Sequence, residues 1–242
     1  MTVSLALWLV FIVMLALLVV VRRRQDRIAR ERARHRAGRA AELGWTLSDQ
    51  PEPGILYRLT GQSEAGIPWV VELDSRPPGD DDKPRLYWRS TAVRSRRQQA
   101  EFLLTSRLMH RMLRGRVGKA LLLLESKTER QRRTRAFYTL PNTVEIDGGS
   151  PELQEKFVTQ TAGGSAPPPL TPLVQNLLLQ WPASASHPEA HFLLGYDETG
   201  VEIEYAGGRH EMDLIEHLVK IGANVALALA QEAGSGATSP AA

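Results

Sequence analysis

Three short stretches of the chain combine residue types that could do chemistry. Gly115-Arg116-Val117-Gly118-Lys119-Ala120 imitates a phosphate-binding loop, in which glycine amides cradle phosphate, a lysine reaches the outer phosphates and a following hydroxyl meets magnesium. The imitation fails twice. The glycine required five residues before Gly118 is Leu113, and the hydroxyl required after Lys119 is replaced by Ala120. His187-Pro188-Glu189-Ala190-His191 places two imidazoles and a carboxylate within five residues, and His210 and Glu211 approach them if the neighbouring segments form a hairpin. A metal site needs three or four converging ligands with supporting hydrogen bonds, and a proline-containing loop supplies no such convergence. These read as ordinary surface histidines. Asp80-Asp81-Asp82 could face a hard cation, but calcium loops alternate their oxygen ligands and add a later glutamate, so the run reads as a solvated acidic loop.

The remaining chemistry is excluded more simply. The sequence has no cysteine, which removes disulfides, thiolate metal sites and cysteine nucleophiles. No G-x-S-x-G elbow, G-x-G-x-x-G fingerprint or H-E-x-x-H motif occurs. No catalytic, cofactor-binding or metal-binding residue is therefore assigned, and no cofactor is implied.

What the sequence does specify is an arrangement in space. Residues 2 to 21, TVSLALWLVFIVMLALLVVV, carry no charge and are followed at once by Arg22-Arg23-Arg24. At about 1.5 Å per residue, twenty apolar residues in a helix match the roughly 30 Å hydrocarbon core of a bilayer. A cleaved signal peptide would put positive charge before the apolar run and small residues after it, the reverse of what is seen. The arginines after the run predict a cytoplasmic carboxyl-terminal side, because positive flanks resist translocation. The expectation is a single-pass protein of the bacterial inner membrane, residues 1–21 being the anchor, with its amino terminus outside.

Residues 22–44 predict a basic juxtamembrane helix ending at Gly44, a residue suited to a helix C-cap. Its nine arginines lie all round the circumference and leave no apolar seam for a coiled coil. Arg22, Arg23, Arg24, Arg27 and Arg30 are candidate contacts for the membrane surface and for anionic lipid headgroups.

Residues 45–232 predict one cytosolic α+β domain of antiparallel hairpins packed with amphipathic helices, with a possible division near 136–165, and 233–242 predict a disordered tail. Residues 55–74 read as a hairpin turning at Gly66, because Ile67, Trp69, Val71 and Leu73 alternate with Val70, Glu72 and Asp74. Leu86–Val93 reads as a third strand. Residues 97–114 have the period of a basic amphipathic helix: Phe102, Leu104, Leu108, Met109, Met112 and Leu113 share one arc, and Arg107, His110, Arg111 and Arg114 the other, with Leu103 the exception. Arg107, Arg111 and Arg114 are therefore further candidates for the membrane surface. Ser150-Pro151 and Thr171-Pro172 are helix starts, a cap followed by proline at the first helical position. Residues 156–161 suggest a strand, and 191–195 with 201–205 a second hairpin. Residues 211 to 231 form the strongest helix of the domain, with Leu214, Leu218, Ile221, Val225 and Leu229 on one stripe. That stripe either closes the core or, left open, receives a protein partner.

The charge is segregated. Residues 22–39 carry a net +7, residues 89–135 a net +11 and residues 136–242 a net −10, although the whole chain is only +3. Nucleic acid is disfavoured as the partner of the +11 region, which holds Phe102 as its single aromatic residue and so lacks stacking platforms. The acidic carboxyl-terminal part is the simpler counterpart. The functional expectation is a binding or scaffold module at the inner membrane face. The alternative is a membrane-tethered enzyme whose site is assembled only by tertiary structure.

Overall fold

The computed structural model describes residues 2–75, 84–95, 102–114, 143–162, 168–181, 191–206 and 211–235. The chain divides into two compact units, Met1–Gly44 and Trp45–Ala242. The first unit is one helix, α1 (Thr2–Glu42), 41 residues without a break. It ends as its sequence predicts: Gly44 takes a φ of +70°, open to glycine at little cost, and its N–H bonds to the Ala41 carbonyl at 3.1 Å. The large apolar side chains described along its first half, Trp8, Phe11, Met14, Leu15 and Leu17 through Val21, are each 44–65% exposed. Among the described residues no helix is long and apolar enough to cross a membrane, so the span expected at residues 2–21 is not shown by the fold.

The second unit is α+β and is built on one antiparallel sheet. In chain order its elements are β1 (Thr46–Asp49), β2 (Ile55–Gln62), β3 (Pro68–Asp74), β4 (Arg85–Ser90), β5 (Phe102–Ser106), α2 (Arg107–Arg114), β6 (Thr143–Ile146), α3 (Pro151–Lys156), β7 (Phe157–Ala162), α4 (Pro172–Leu179), β8 (His191–Asp197), β9 (Gly200–Ala206) and α5 (Met212–Ser235). The nine described strands lie in the order β1-β2-β3-β4-β9-β8-β5-β7-β6. The amino-terminal meander and the carboxyl-terminal hairpin thus meet at β4 and β9, where Trp88 pairs with Ile203.

One cross-strand row shows how the sequence places the core. Leu59, Val71, Trp88, Ile203, Leu194 and Leu104 follow one another across six strands in direct register. All six are fully buried. Because side chains alternate along each strand, one register puts the whole set on one face, and each contributes about 1.5–3 kcal/mol by leaving water. Helices α3, α4 and α5 cover that face. The α5 stripe Leu214, Leu218, Ile221, Val225 and Leu229 is buried, so the helix closes the core instead of leaving an open groove. Gly222 lets α5 settle on the sheet, since a β-carbon there would stand 2.5 Å from the Trp88 ring. Trp181, just past α4, fills the same layer, 5.0 Å from the Phe192 ring and 5.1 Å from that of Tyr205.

The two hairpin turns behave as their glycines require. Gly66 has φ +75° and its N–H bonds back to the Ser63 carbonyl at 2.8 Å. Gly200 has φ +123°, and a β-carbon there would fall 2.1 Å from the Ser90 carbonyl oxygen, so both conformation and space demand glycine. Both cap-plus-proline signals also hold. The Ser150 hydroxyl accepts from Leu153 N–H and the Thr171 hydroxyl from Val174 N–H, each at 3.3 Å.

One expectation is overturned. Residues 102–106 are not the first half of a helix but strand β5, with all five residues buried; the helix begins only at Arg107. Phe102 and Leu104 face the layer of α5, while Leu103 and Thr105 face the other side, so both parities are apolar or small. The helical arc consequently dissolves. Leu108, expected inside, is 39% exposed, and His110, expected among the arginines, is 6% exposed. Packing of α2 against β5, β7 and β8 selects the Met109 and His110 side of the helix.

Candidate functional site

The sheet face opposite α5 carries a band of charge across β2, β3, β4 and β9. Register places Arg58 beside Glu72, Glu72 beside Tyr87, Tyr87 beside Glu204, and Arg89 beside Glu202. Glu72, at 3% exposure, lies between two guanidiniums. Arg58 Nε donates to its Oε1 at 2.8 Å, and Arg89 Nη2 donates to its Oε2. Arg58 also reaches Glu52 at 2.7 Å, Arg85 donates to Glu204 at 2.8 Å, and Arg89 stands 4.0 Å from Glu202. The arginines stay partly exposed while Glu72 and Glu204 are buried. Long guanidinium side chains therefore roof the shorter carboxylates, their stems covering apolar surface.

The electrostatics are those of mutual compensation. Hydrogen bonds to Glu52 and then Glu72 raise the Arg58 pKa above its ordinary value against a smaller cost of burial. At Arg85 burial is the largest influence and opposes the charge, but Glu204 and Tyr87 outweigh it and the pKa is again raised. The Arg58 and Arg85 guanidiniums therefore keep their charge at every accessible pH. Both oxygens of Glu72 accept from guanidiniums, so the band offers charge pairing and strand alignment.

Beyond the end of the band, a cavity of about 460 Å³ is lined by Arg89, Thr91, Arg94, Glu198, Thr199, Val201 and Glu202. The β8–β9 turn shapes one wall: Asp197 Oδ1 accepts from the Thr199 amide at 2.7 Å. Arg94 is fixed by donating from Nε to the Thr91 carbonyl at 3.2 Å. The wall balances two arginines against two glutamates. On the same face of the sheet, buried His110 of α2 meets Glu145 of β6 at 3.0 Å, which ties the helix to the last strand.

The arginines singled out in the sequence fall in two places. Arg22, Arg23, Arg24, Arg27 and Arg30 lie on α1 and are exposed, and Arg27 Nε is bonded to Glu31 at 3.0 Å. Arg107, Arg111 and Arg114 lie on α2 in the second unit. Arg107 donates from Nε to the Gln154 carbonyl of α3 at 3.1 Å, and Arg111 is exposed. The phosphate-loop lookalike, Asp80–Asp82, His187, Glu189 and His210 lie outside the described residues, and among those described no group of three or more His, Asp or Glu could hold a metal ion. Sequence reasoning missed the charged band, although Arg58, Glu72, Arg89 and Glu202 all sit at the polar parity of their strands. Its signal was there, but pairing it required the β4–β9 junction. Compared with family models, with curated proteins and with solved structures, the chain matches none.

Proposed function

We propose that the chain is a single-pass protein of the bacterial inner membrane. Residues 2–21 span the bilayer, the amino terminus lies outside, and the α+β unit acts as a binding or scaffold module at the cytoplasmic face. The observation that carries this reading is the outer surface of α1. From Trp8 to Val21 its described apolar side chains are exposed, whereas the second unit has buried Leu59, Val71, Trp88, Ile203 and their neighbours. A run of uncharged residues this long on a continuous helix needs an apolar surrounding, and a bilayer matches its length. The abrupt change to Arg22-Arg23-Arg24 sets the direction.

The band of paired arginines and glutamates supports a module that binds instead of one that reacts, since its charges are already spent on one another. The alternative, a membrane-tethered enzyme, is favoured by the cavity between the ends of β4 and β9, where Arg89, Arg94, Glu198 and Glu202 converge. Washing native membranes at alkaline pH tests the anchor: the full chain stays with the pellet, and a chain lacking residues 2–21 is released. Release of the full chain would remove the reading.

A further inference from the structure

The continuity of α1 divides its arginines by distance from the apolar belt. At about 1.5 Å per residue, Arg22, Arg23 and Arg24 stand about 1.5, 3 and 4.5 Å beyond Val21, whereas Arg30, Arg32 and Arg34 stand about 13 to 20 Å beyond it. A bilayer of about 30 Å core and 40–45 Å total thickness leaves an interfacial layer of about 5–8 Å on each side. The first three arginines fall within that layer, whereas the last three lie about 5 to 15 Å outside it, where salt with a Debye length of roughly 8–10 Å weakens their attraction to headgroup charge. At 100° per residue the first three also point in three directions and form a collar round the helix. Their Cβ bonds tilt toward the helix amino terminus, which here is the membrane. All three are exposed, and among the described residues none has an acidic partner. Arg27, the next in line, is engaged by Glu31.

We infer that the collar Arg22-Arg23-Arg24 selects phospholipids whose headgroups carry a net negative charge, each guanidinium pairing with a lipid phosphodiester. The distal arginines contribute less, because screening weakens their attraction. This inference rests on the anchor reading, because that reading brings the collar to headgroup depth. The energy of about 1 kcal/mol for a basic residue near an anionic surface corresponds to about a fivefold preference at each position.

The test uses the full chain in vesicles of phosphatidylcholine with phosphatidylglycerol, and measures the fraction of spin-labelled lipid immobilised by the protein. Labelled phosphatidylglycerol is expected to be held about fivefold over labelled phosphatidylcholine. The preference disappears in R22Q/R23Q/R24Q, survives in R30Q/R32Q/R34Q, and returns in R22K/R23K/R24K because charge is what matters. Excess soluble glycerol phosphate leaves it intact if the site is built at the bilayer; competition by that anion would overturn the inference. So would an absent preference, or an equal loss in the distal variant. Flotation after an alkaline wash separates the two readings. Flotation with pure phosphatidylcholine but no lipid preference sinks the collar alone, whereas flotation only with phosphatidylglycerol sinks the anchor and, with it, the headgroup depth on which the collar depends. No flotation with either lipid sinks both.

Discussion

Replacing Glu72 by alanine removes the centre of the charged band, and the structure gives the size of the effect. Glu72 Oε1 accepts from Arg58 and Oε2 from Arg89, and the side chain is 4% exposed. After truncation Arg58 keeps Glu52, but Arg89 keeps only Glu202 at 4.0 Å. Breaking a buried ion pair from one side costs about 3–5 kcal/mol. The two guanidiniums are 28% and 36% exposed, so water recovers part of their solvation and the low end, about 3 kcal/mol, applies. With a urea dependence of about 2 kcal/mol per molar, the unfolding midpoint of the second unit falls by about 1.5 M. Urea titration of the full chain in detergent, followed by tryptophan fluorescence, measures it. A fall of less than about 0.3 M, the size expected for an ordinary surface pair, would refute the reasoning. The double variant Glu72→Ala/Arg89→Ala should lose less than the two single losses added together, because each single change strands the other's charge.

Gly200→Ala forces a side chain into a backbone at φ +123° and places its β-carbon 2.1 Å from the Ser90 carbonyl, so the β4–β9 junction must shift. A loss of about 3 kcal/mol in the same titration is expected, and an unchanged midpoint would contradict the close approach. Gly222→Ala improves intrinsic helix propensity by about 1 kcal/mol but drives a methyl into the Trp88 ring, 2.5 Å away. The net outcome is destabilisation by about 1 kcal/mol with a changed Trp88 environment in near-ultraviolet circular dichroism. Stabilisation would show that α5 does not sit on Trp88.

Those elements that announce themselves locally were legible in the sequence. Ile67, Trp69, Val71 and Leu73 alternate because one face of β3 is buried in apolar surroundings, and Ser150 and Thr171 mark helix starts because an orphan amide needs an acceptor. Strand β5 was not legible, because Phe102 to Ser106 is buried on both faces and runs directly into α2. Its apolar residues then match a helical arc by coincidence. Strand β1, Thr46 to Asp49, is short and mostly exposed, and so carries no alternation. Glu72 was placed at the polar parity of β3, yet its burial depends on Arg58 from β2 and Arg89 from β4. The pairing of β4 with β9 joins segments more than a hundred residues apart, a distance over which no local pattern acts.

The account depends on which side of a bilayer the second unit occupies. Under the proposed orientation, in which the arginines beyond Val21 mark the cytoplasmic side, protease added to intact spheroplasts should leave residues 45–232 uncut and should degrade them after lysis. Cleavage of the unit in intact spheroplasts would contradict the orientation and, with it, the proposed place of action.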